Sequence, residues 1–331
     1  MQASLADENV TCWVLSDGKA GDEVQCLGVA ETLGLAPQIR HVAPRAPWTW
    51  LMPWGPIDPR EAPKKPGSPL SGPFPDLAIA SGRRAVAYLR KIKRASHGRT
   101  FTVFLKDPRT GTGAADFIWV PEHDRLRGAN VLTTLTSPHR VSAERLAAAR
   151  RSPLPALAAL PAPRICVLVG GASDAYRFES NTVQRFCTLL RQAADQGTLM
   201  GTFSRRSALA HPDLVPSVTR IFQETGGYLW NGEGENPYIQ LLANANAIVV
   251  TADSVNMVGE AAATGHAVHV FHPLRKGNTH KFDAFLQGLD AAGAVRPFTG
   301  RMEYPTYEAI DSTPAIAAEI AVRFRAHRTA L

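Results

Sequence analysis

Cysteine is scarce in this chain, and its four thiols, Cys12, Cys26, Cys166 and Cys187, sit singly in apolar surroundings with no C-x-x-C pair. That pattern excludes a disulfide scaffold and a thiolate metal site, and leaves the buried, reduced thiols of a cytosolic protein. No apolar run approaches the roughly 20 residues that cross a bilayer, and the opening MQASLADENV lacks the basic and apolar regions of a signal peptide. The expected location is therefore cytoplasmic. The first strand-to-helix loop is neither G-x-G-x-x-G nor G-x-x-x-x-G-K-[ST], which disfavours a dehydrogenase and a P-loop enzyme. No D-x-D motif occurs, and Glu122-His123-Asp124 lacks the spacing of a metal site, so neither a metal nor a cofactor is expected. A nucleic-acid reader motif is missing too, as is an aromatic platform within the basic segment.

What is present is ordinary globular material: 331 residues, 45% apolar and 20% charged, enough for about two domains. The net charge of +7 is unevenly spread. Residues 1–150 carry 20 Lys/Arg against 14 Asp/Glu, whereas 151–331 carry 16 against 15. The basic half should meet an anionic partner. Apolar runs of strand length alternate with segments of helical period, the signature of β-α units around a parallel sheet. Strands are predicted at 12–16, 38–42, 76–80, 100–105, 116–120 and 130–134, and the pattern restarts at 164–170, 198–203, 227–230, 246–251 and 266–271. The proline- and alanine-rich stretch 152–163 reads as a linker. The expected fold is α/β: two doubly wound, Rossmann-like domains at 1–151 and 164–312, followed by a helix over 313–331 that packs on one of them.

Residues 44–75 break the rhythm, holding 10 of the 25 prolines together with Trp48, Trp50, Leu51 and Trp54. A long loop without structure of its own is usually functional or disordered. The tryptophans, flanked by Arg40, Arg45, Lys64 and Lys65, suit an anionic membrane surface, and a helix rich in Arg and Lys follows at 83–94. The bland alternative is that they tuck onto the domain surface.

Ligands of open parallel sheets sit just past the strand ends, so those loops supply the candidate site. In the first half they are Asp17, Gly18, Lys19 and Gly21; Gly82 and Arg83; Asp107 and Arg109; Glu122 and His123. Asp17 is the first choice as general base, with His123 and Asp107 behind it. The second half offers Gly170, Gly171 and Ser173, then Ser204, Arg205 and Arg206, then Asn236, Pro237 and Tyr238, and finally Asp253, Ser254 and Val255 leading into a helix that carries Glu260. Two guanidinium groups, a glycine turn and a helix start suit a diphosphate, and a carboxylate at Glu260 suits ribose hydroxyls.

The segments WVLSDGKAGDEVQ, PDLAIASGRR, KDPR, VLVGGASDAYRF, SRR, GEGENPY and VVTADSVNMVGEAAATG, with the Lys281-Phe282 pair, occur in consecutive order from about residue 12 to 325. They resemble the mitochondrial fission family of the elongated-mitochondria type, mostly bacterial sequences similar to GT-B glycosyltransferases. The resemblance implies two domains facing each other across a cleft, the second holding a nucleotide-sugar donor and the first an acceptor. It implies donor contacts at 170–173, 204–206, 236–238 and 254–260, with Glu260 on the ribose. Cys26 and Asn231 are unusual for their positions. The expected activity is glycosyl transfer to an acceptor at the inner face of the cytoplasmic membrane, an anionic lipid-linked acceptor included. The alternatives are a nucleotide-sugar epimerase of the same fold and a non-catalytic adaptor, the role described for plant members.

Overall fold

A computed structural model describes residues 4–331; the first three residues of the expected first domain lie outside the described residues. By its internal contacts the chain divides into two units, the first comprising residues up to Arg140 together with Ser312–Leu331, the second Val141–Asp311.

Unit 1 is a parallel sheet covered on both faces. Its strands are β1 (Cys12–Ser16), β2 (Gln38–His41), β3 (Leu77–Ala80), β4 (Phe101–Leu105), β5 (Phe117–Pro121) and β6 (Val131–Thr134), in the order β2-β1-β3-β4-β5-β6. Every residue of β1, β3 and β4 is buried. Such unbroken apolar runs are what a parallel strand between two helical layers requires. Val14 lies beside Ile39 on one neighbour and Ile79 on the other. Helices α1 (Ala20–Thr32), α2 (Trp48–Leu51) and α3 (Ala85–Ala95) connect the early strands.

One face of this sheet is covered by α1 and the C-terminal helix (Thr313–Thr329), whose Ile316, Ile320 and Phe324 join Val29, Leu33 and Phe101 in a single core. The helix expected to pack on one domain therefore completes unit 1. The other face buries Tyr88, Leu89 and Ile92 of α3 together with Met52, Ile57 and Leu70 from the proline-rich segment. Each such buried side chain contributes about 1.5–3 kcal/mol. The segment is thereby tied down despite its prolines, and further bonds hold it: Arg45 pairs with Asp58 at 3.0 Å, and Tyr88 donates its hydroxyl to Glu61.

Unit 2 begins earlier than expected. The boundary falls after Arg140, not after residue 151, and 152–163 is not a free linker. Ser142 caps α4 (Ala143–Arg151) by accepting from the Arg145 N–H at 3.3 Å. A second short helix, α5 (Pro155–Ala158), follows and buries Leu157 completely. The Leu154 N–H donates to Gln240 and the Arg150 guanidinium to the Ala243 carbonyl, which fasten both helices to the body of unit 2. The sheet comprises β7 (Arg164–Val169), β9 (Thr198–Phe203), β10 (Tyr228–Leu229), β11 (Ala247–Thr251), β12 (Val268–Phe271) and β14 (Val295–Pro297), in the order β10-β9-β7-β11-β12-β14. A separate two-stranded ribbon joins β8 (Tyr176–Arg177) to β13 (Leu274–Arg275). The remaining helices are α6 (Ser180–Ala194), α7 (Leu214–Glu224), α8 (Tyr238–Ala243), α9 (Val255–Ala262) and α10 (His280–Ala291), with α11 the C-terminal helix of unit 1. The eleven strands expected from the sequence are all present, their ends moved by a residue or two, whereas β8, β13 and β14 are too short to show a period.

All four cysteines are free and buried. Burial pushes the Cys12 thiol up to about 12. No described helix is long and apolar enough to cross a membrane.

Candidate functional site

Each sheet has a switch point, where neighbouring strands send their connections in opposite directions and leave a crevice at their carboxyl ends. In unit 1 it lies between β1 and β3, and in unit 2 between β7 and β11. The candidate residues gather at these two places.

In unit 2, Gly170 and Gly171 leave β7 while Asp253 and Ser254 leave β11. The Gly170 N–H donates to Thr251 Oγ1 and the Gly171 N–H to Asp253 Oδ2, both at 2.7 Å. A Cβ on Gly170 would come within 2.2 Å of Asp253 Oδ2, and one on Gly171 within 2.4 Å of the Arg206 carbonyl. Glycine is therefore demanded by the protein's own packing, not only by an approaching ligand. Asp253 was expected to touch the ligand. Its side chain is instead fully buried, and burial pushes its carboxyl up. It holds the glycine turn and stands 3.5 Å from the Arg206 guanidinium.

Arg206 also donates to the Ala172 carbonyl at 3.0 Å and keeps about half its surface in solvent. Arg205 beside it is exposed. Ser204 serves the loop, its hydroxyl 3.1 Å from that of Ser207, a fully buried residue that in turn donates to Val169 and Gly170 carbonyls. Ser173 caps its own turn by accepting from the N–H groups of Ala175 and Tyr176. Helix α9 starts at Val255 after Ser254, with no side-chain cap. A helix start of this kind carries a positive partial charge that suits an anion.

The third group of the unit is Tyr238 and Glu260. Asn236 accepts from the Tyr238 N–H at 3.0 Å and, with the buried Pro237, sets the start of α8. The Tyr238 hydroxyl then donates to Glu260 Oε2 at 2.6 Å. Burial raises the Glu260 carboxyl to about 7, against the opposing pull of that hydrogen bond. Burial and the adjacent carboxylate push the Tyr238 phenol well up.

In unit 1, Asp17 follows β1 and Gly82 follows β3. The Asp17 side chain is only 2% exposed, with Lys19 Nζ 3.8 Å from its Oδ2. Two residues not singled out in the sequence join it: Asp22, buried in the first turn of α1, and Lys106, just past β4, which form an ion pair. Asp22 reads in sequence as a routine acidic first-turn residue, and Lys106 is remote from it in the chain. The available signal is that both follow strand ends. Lys106 also has φ of 120°, a conformation that costs a non-glycine residue on the order of 1–3 kcal/mol and that clusters at functional sites.

The other candidates of unit 1 are placed differently. Gly18 and Gly21 are exposed around the start of α1, and Arg83 is exposed beyond Gly82. Asp107 is exposed and accepts from the Arg109 N–H at 2.7 Å, so its carboxylate braces a turn. Glu122 engages its backbone with Thr134 and Arg127 in the loop that holds the half-buried His123. Of the three candidate bases, Asp17, the first choice, is the one that stands at the switch point. On the surface of the proline-rich segment, Trp50 is 75% and Trp54 64% exposed, while Trp48 is half-buried.

Two parallel-sheet units of this construction define an α/β protein with a GT-B-like fold. The chain superposes on a putative UDP-N-acetylglucosamine 2-epimerase from Listeria monocytogenes with a TM-score of 0.52, over 97% of each chain and at 11% identity, a likeness of fold. The sequence profile described as mitochondrial fission ELM1 matches residues 20–324, and the chain belongs to that family. It is 30% identical over 285 residues to the mitochondrial fission protein ELM1 of Arabidopsis thaliana, a match covering 76% of this chain and 63% of the plant protein. It is also 29% identical over 138 residues to the uncharacterized protein RP120 of Rickettsia prowazekii (strain Madrid E), covering 40% and 38%. The chain thus spans less than two thirds of the curated relatives it matches.

Proposed function

We propose that this protein transfers a sugar from a nucleoside-diphosphate sugar, held at the switch point of unit 2, to a hydroxyl of an acceptor bound by unit 1 at a membrane surface. The observation that carries the reading is the arrangement past β7 and β11: a glycine turn locked by buried Asp253, the Arg206 guanidinium fixed to that carboxylate, and the uncapped start of α9. It offers backbone N–H groups, a helix dipole and a fork of donors to one diphosphate. Glu260 Oε2 is taken by Tyr238, which leaves Oε1 for a ribose hydroxyl.

In the transfer, the acceptor oxygen attacks the anomeric carbon as the bond from that carbon to the diphosphate oxygen breaks. The electron pair leaves with the diphosphate, whose charge meets Arg205, Arg206 and the α9 terminus. The acceptor proton passes to Asp17. Guanidinium groups and oriented amides stabilise the leaving charge here, so the step calls for no metal ion. Incubation with a nucleotide sugar should consume it only when a membrane extract supplies an acceptor. Release of an epimer from the sugar nucleotide alone would assign an epimerase, and absence of any nucleotide binding an adaptor.

The membrane part of the proposal rests on Trp50, Leu51 and Trp54. All three are exposed, and they are pinned to the basic helix α3 through Arg90, which donates to the carbonyls of Pro53 at 2.7 Å and Trp54 at 3.1 Å. Aromatic and leucine side chains inserted at headgroup depth, with Lys64 and Lys65 exposed in the same segment and Lys91 and Arg94 exposed on α3, suit an anionic bilayer. Changing Trp50 and Trp54 together to alanine is expected to lower co-sedimentation with phosphatidylglycerol vesicles by about tenfold or more. Unchanged sedimentation would remove the membrane from the proposal.

A further inference from the structure

The Asp17 carboxylate presents a buried hydrogen-bonding deficit. Its Oδ1 is shielded from solvent and has no partner among the described residues. Most buried polar atoms find one, and an acceptor left alone loses its hydration without replacement. The oxygen faces Gly82: a Cβ built there would lie 3.2 Å from Asp17 Oδ1 and 3.0 Å from Asp22 Oδ2. Both carboxylates therefore converge on one spot, their oxygens at most about 6 Å apart. Asp22 is neutralised by Lys106, whose left-handed backbone is anchored by a hydrogen bond from its N–H to Trp119 at 2.7 Å. Among the described residues Asp17 pairs only with Lys19, at 3.8 Å and itself 68% exposed.

The loops that follow neighbouring strands at the same sheet edge supply cations. Lys19 follows β1, Arg83 follows β3 and Arg109 follows β4, all of them exposed. The two features select a ligand by exclusion. A neutral polyol satisfies Asp17 and leaves the cations unused, while inorganic phosphate meets the cations and is repelled by the carboxylates. A molecule with both groups satisfies the whole arrangement.

We propose that the switch point of unit 1 binds a hydroxylated phosphate ester, its hydroxyl donating to Asp17 Oδ1 and its phosphate engaging Lys19, Arg83 and Arg109. The proposal rests on reading this site as the acceptor side of the transfer, and it names the acceptor class: a sugar or polyol that carries a phosphate, either free or as the headgroup of a lipid.

The test is a titration of the full chain followed by amide NMR at Gly18 and Gly82. Glucose 1-phosphate and the soluble lipid dihexanoyl phosphatidylglycerol supply the two sources; glucose and inorganic phosphate are the separate halves. Saturable shifts are expected with one or both of the phosphate esters, at affinities about tenfold or more above either half alone. Response to the lipid alone assigns the headgroup source, and response to glucose 1-phosphate the free ester. Asp17→Ala and Arg83→Ala should each weaken the response by about tenfold, with resonances of unit 2 unmoved as the check on folding. No saturable shift with either ester, or equal binding by glucose alone, would overturn the proposal. Uridine, guanosine and adenosine diphosphates, read at Gly171 and Ser254, test the donor reading separately, so either result can fail without the other.

Discussion

Replacing Arg206 by alanine is expected to weaken the binding of a nucleoside diphosphate by about 10- to 100-fold, measured by calorimetry. A bidentate guanidinium contact to phosphate is worth on the order of 1.5–3 kcal/mol, and each 1.4 kcal/mol is a factor of ten. The same change should lower the melting temperature by a few degrees. Asp253 stays buried when its cationic neighbour is gone, with Thr251, the Gly171 N–H and its own backbone N–H left to hold its charge. Arg206→Lys restores charge near Asp253 but not the planar fork, so stability should recover more than affinity. Equal affinity of the wild type and Arg206→Ala would place the diphosphate elsewhere.

The second large effect concerns pH. The Glu260 carboxyl stands at about 7 in the folded protein against an ordinary 4.5. The unfolded chain releases this proton at lower pH than the native one, so stability falls as pH rises from about 4.5 through 7 and levels off above it. Below the ordinary value both states hold the proton and nothing is lost. Glu260→Gln, which stays neutral and still accepts from Tyr238, should match the wild type at pH 4 and exceed it at pH 8 by on the order of 2 kcal/mol, allowing for partial exposure of the side chain. Ribose hydroxyls donate to a carboxylate, so nucleotide affinity of the wild type should rise with pH through 7 and that of Glu260→Gln should not. Parallel stability curves for the two proteins would show that Glu260 is not held neutral by burial.

Much of this was legible in the chain. Runs such as CWVLS and RICVLV announce fully buried parallel strands, and the switch-point loops follow from where those runs end. The boundary was not legible, because Leu154 and Leu157 look like linker residues until α4 and α5 are seen fastened to Gln240 and Ala243. Local composition carries no record of a partner more than eighty residues away. The roles within the site were only partly readable for the same reason. Gly170 and Gly171 appear flexible in sequence, whereas packing against Asp253 and Arg206 requires their bareness. Asp253 belongs behind the site, supporting it, and Asp107 is committed to its own turn. Asp22 and Lys106 acquire meaning only when α1 and β4 meet.

The most direct test is a crystal structure of the chain soaked with a nucleoside-diphosphate sugar at saturating concentration. The diphosphate should lie on the first-turn N–H groups of α9 and the Arg206 guanidinium, with the ribose on Glu260. Density for the diphosphate at the unit 1 switch point, or none at α9, would contradict the assignment of unit 2 as the donor side.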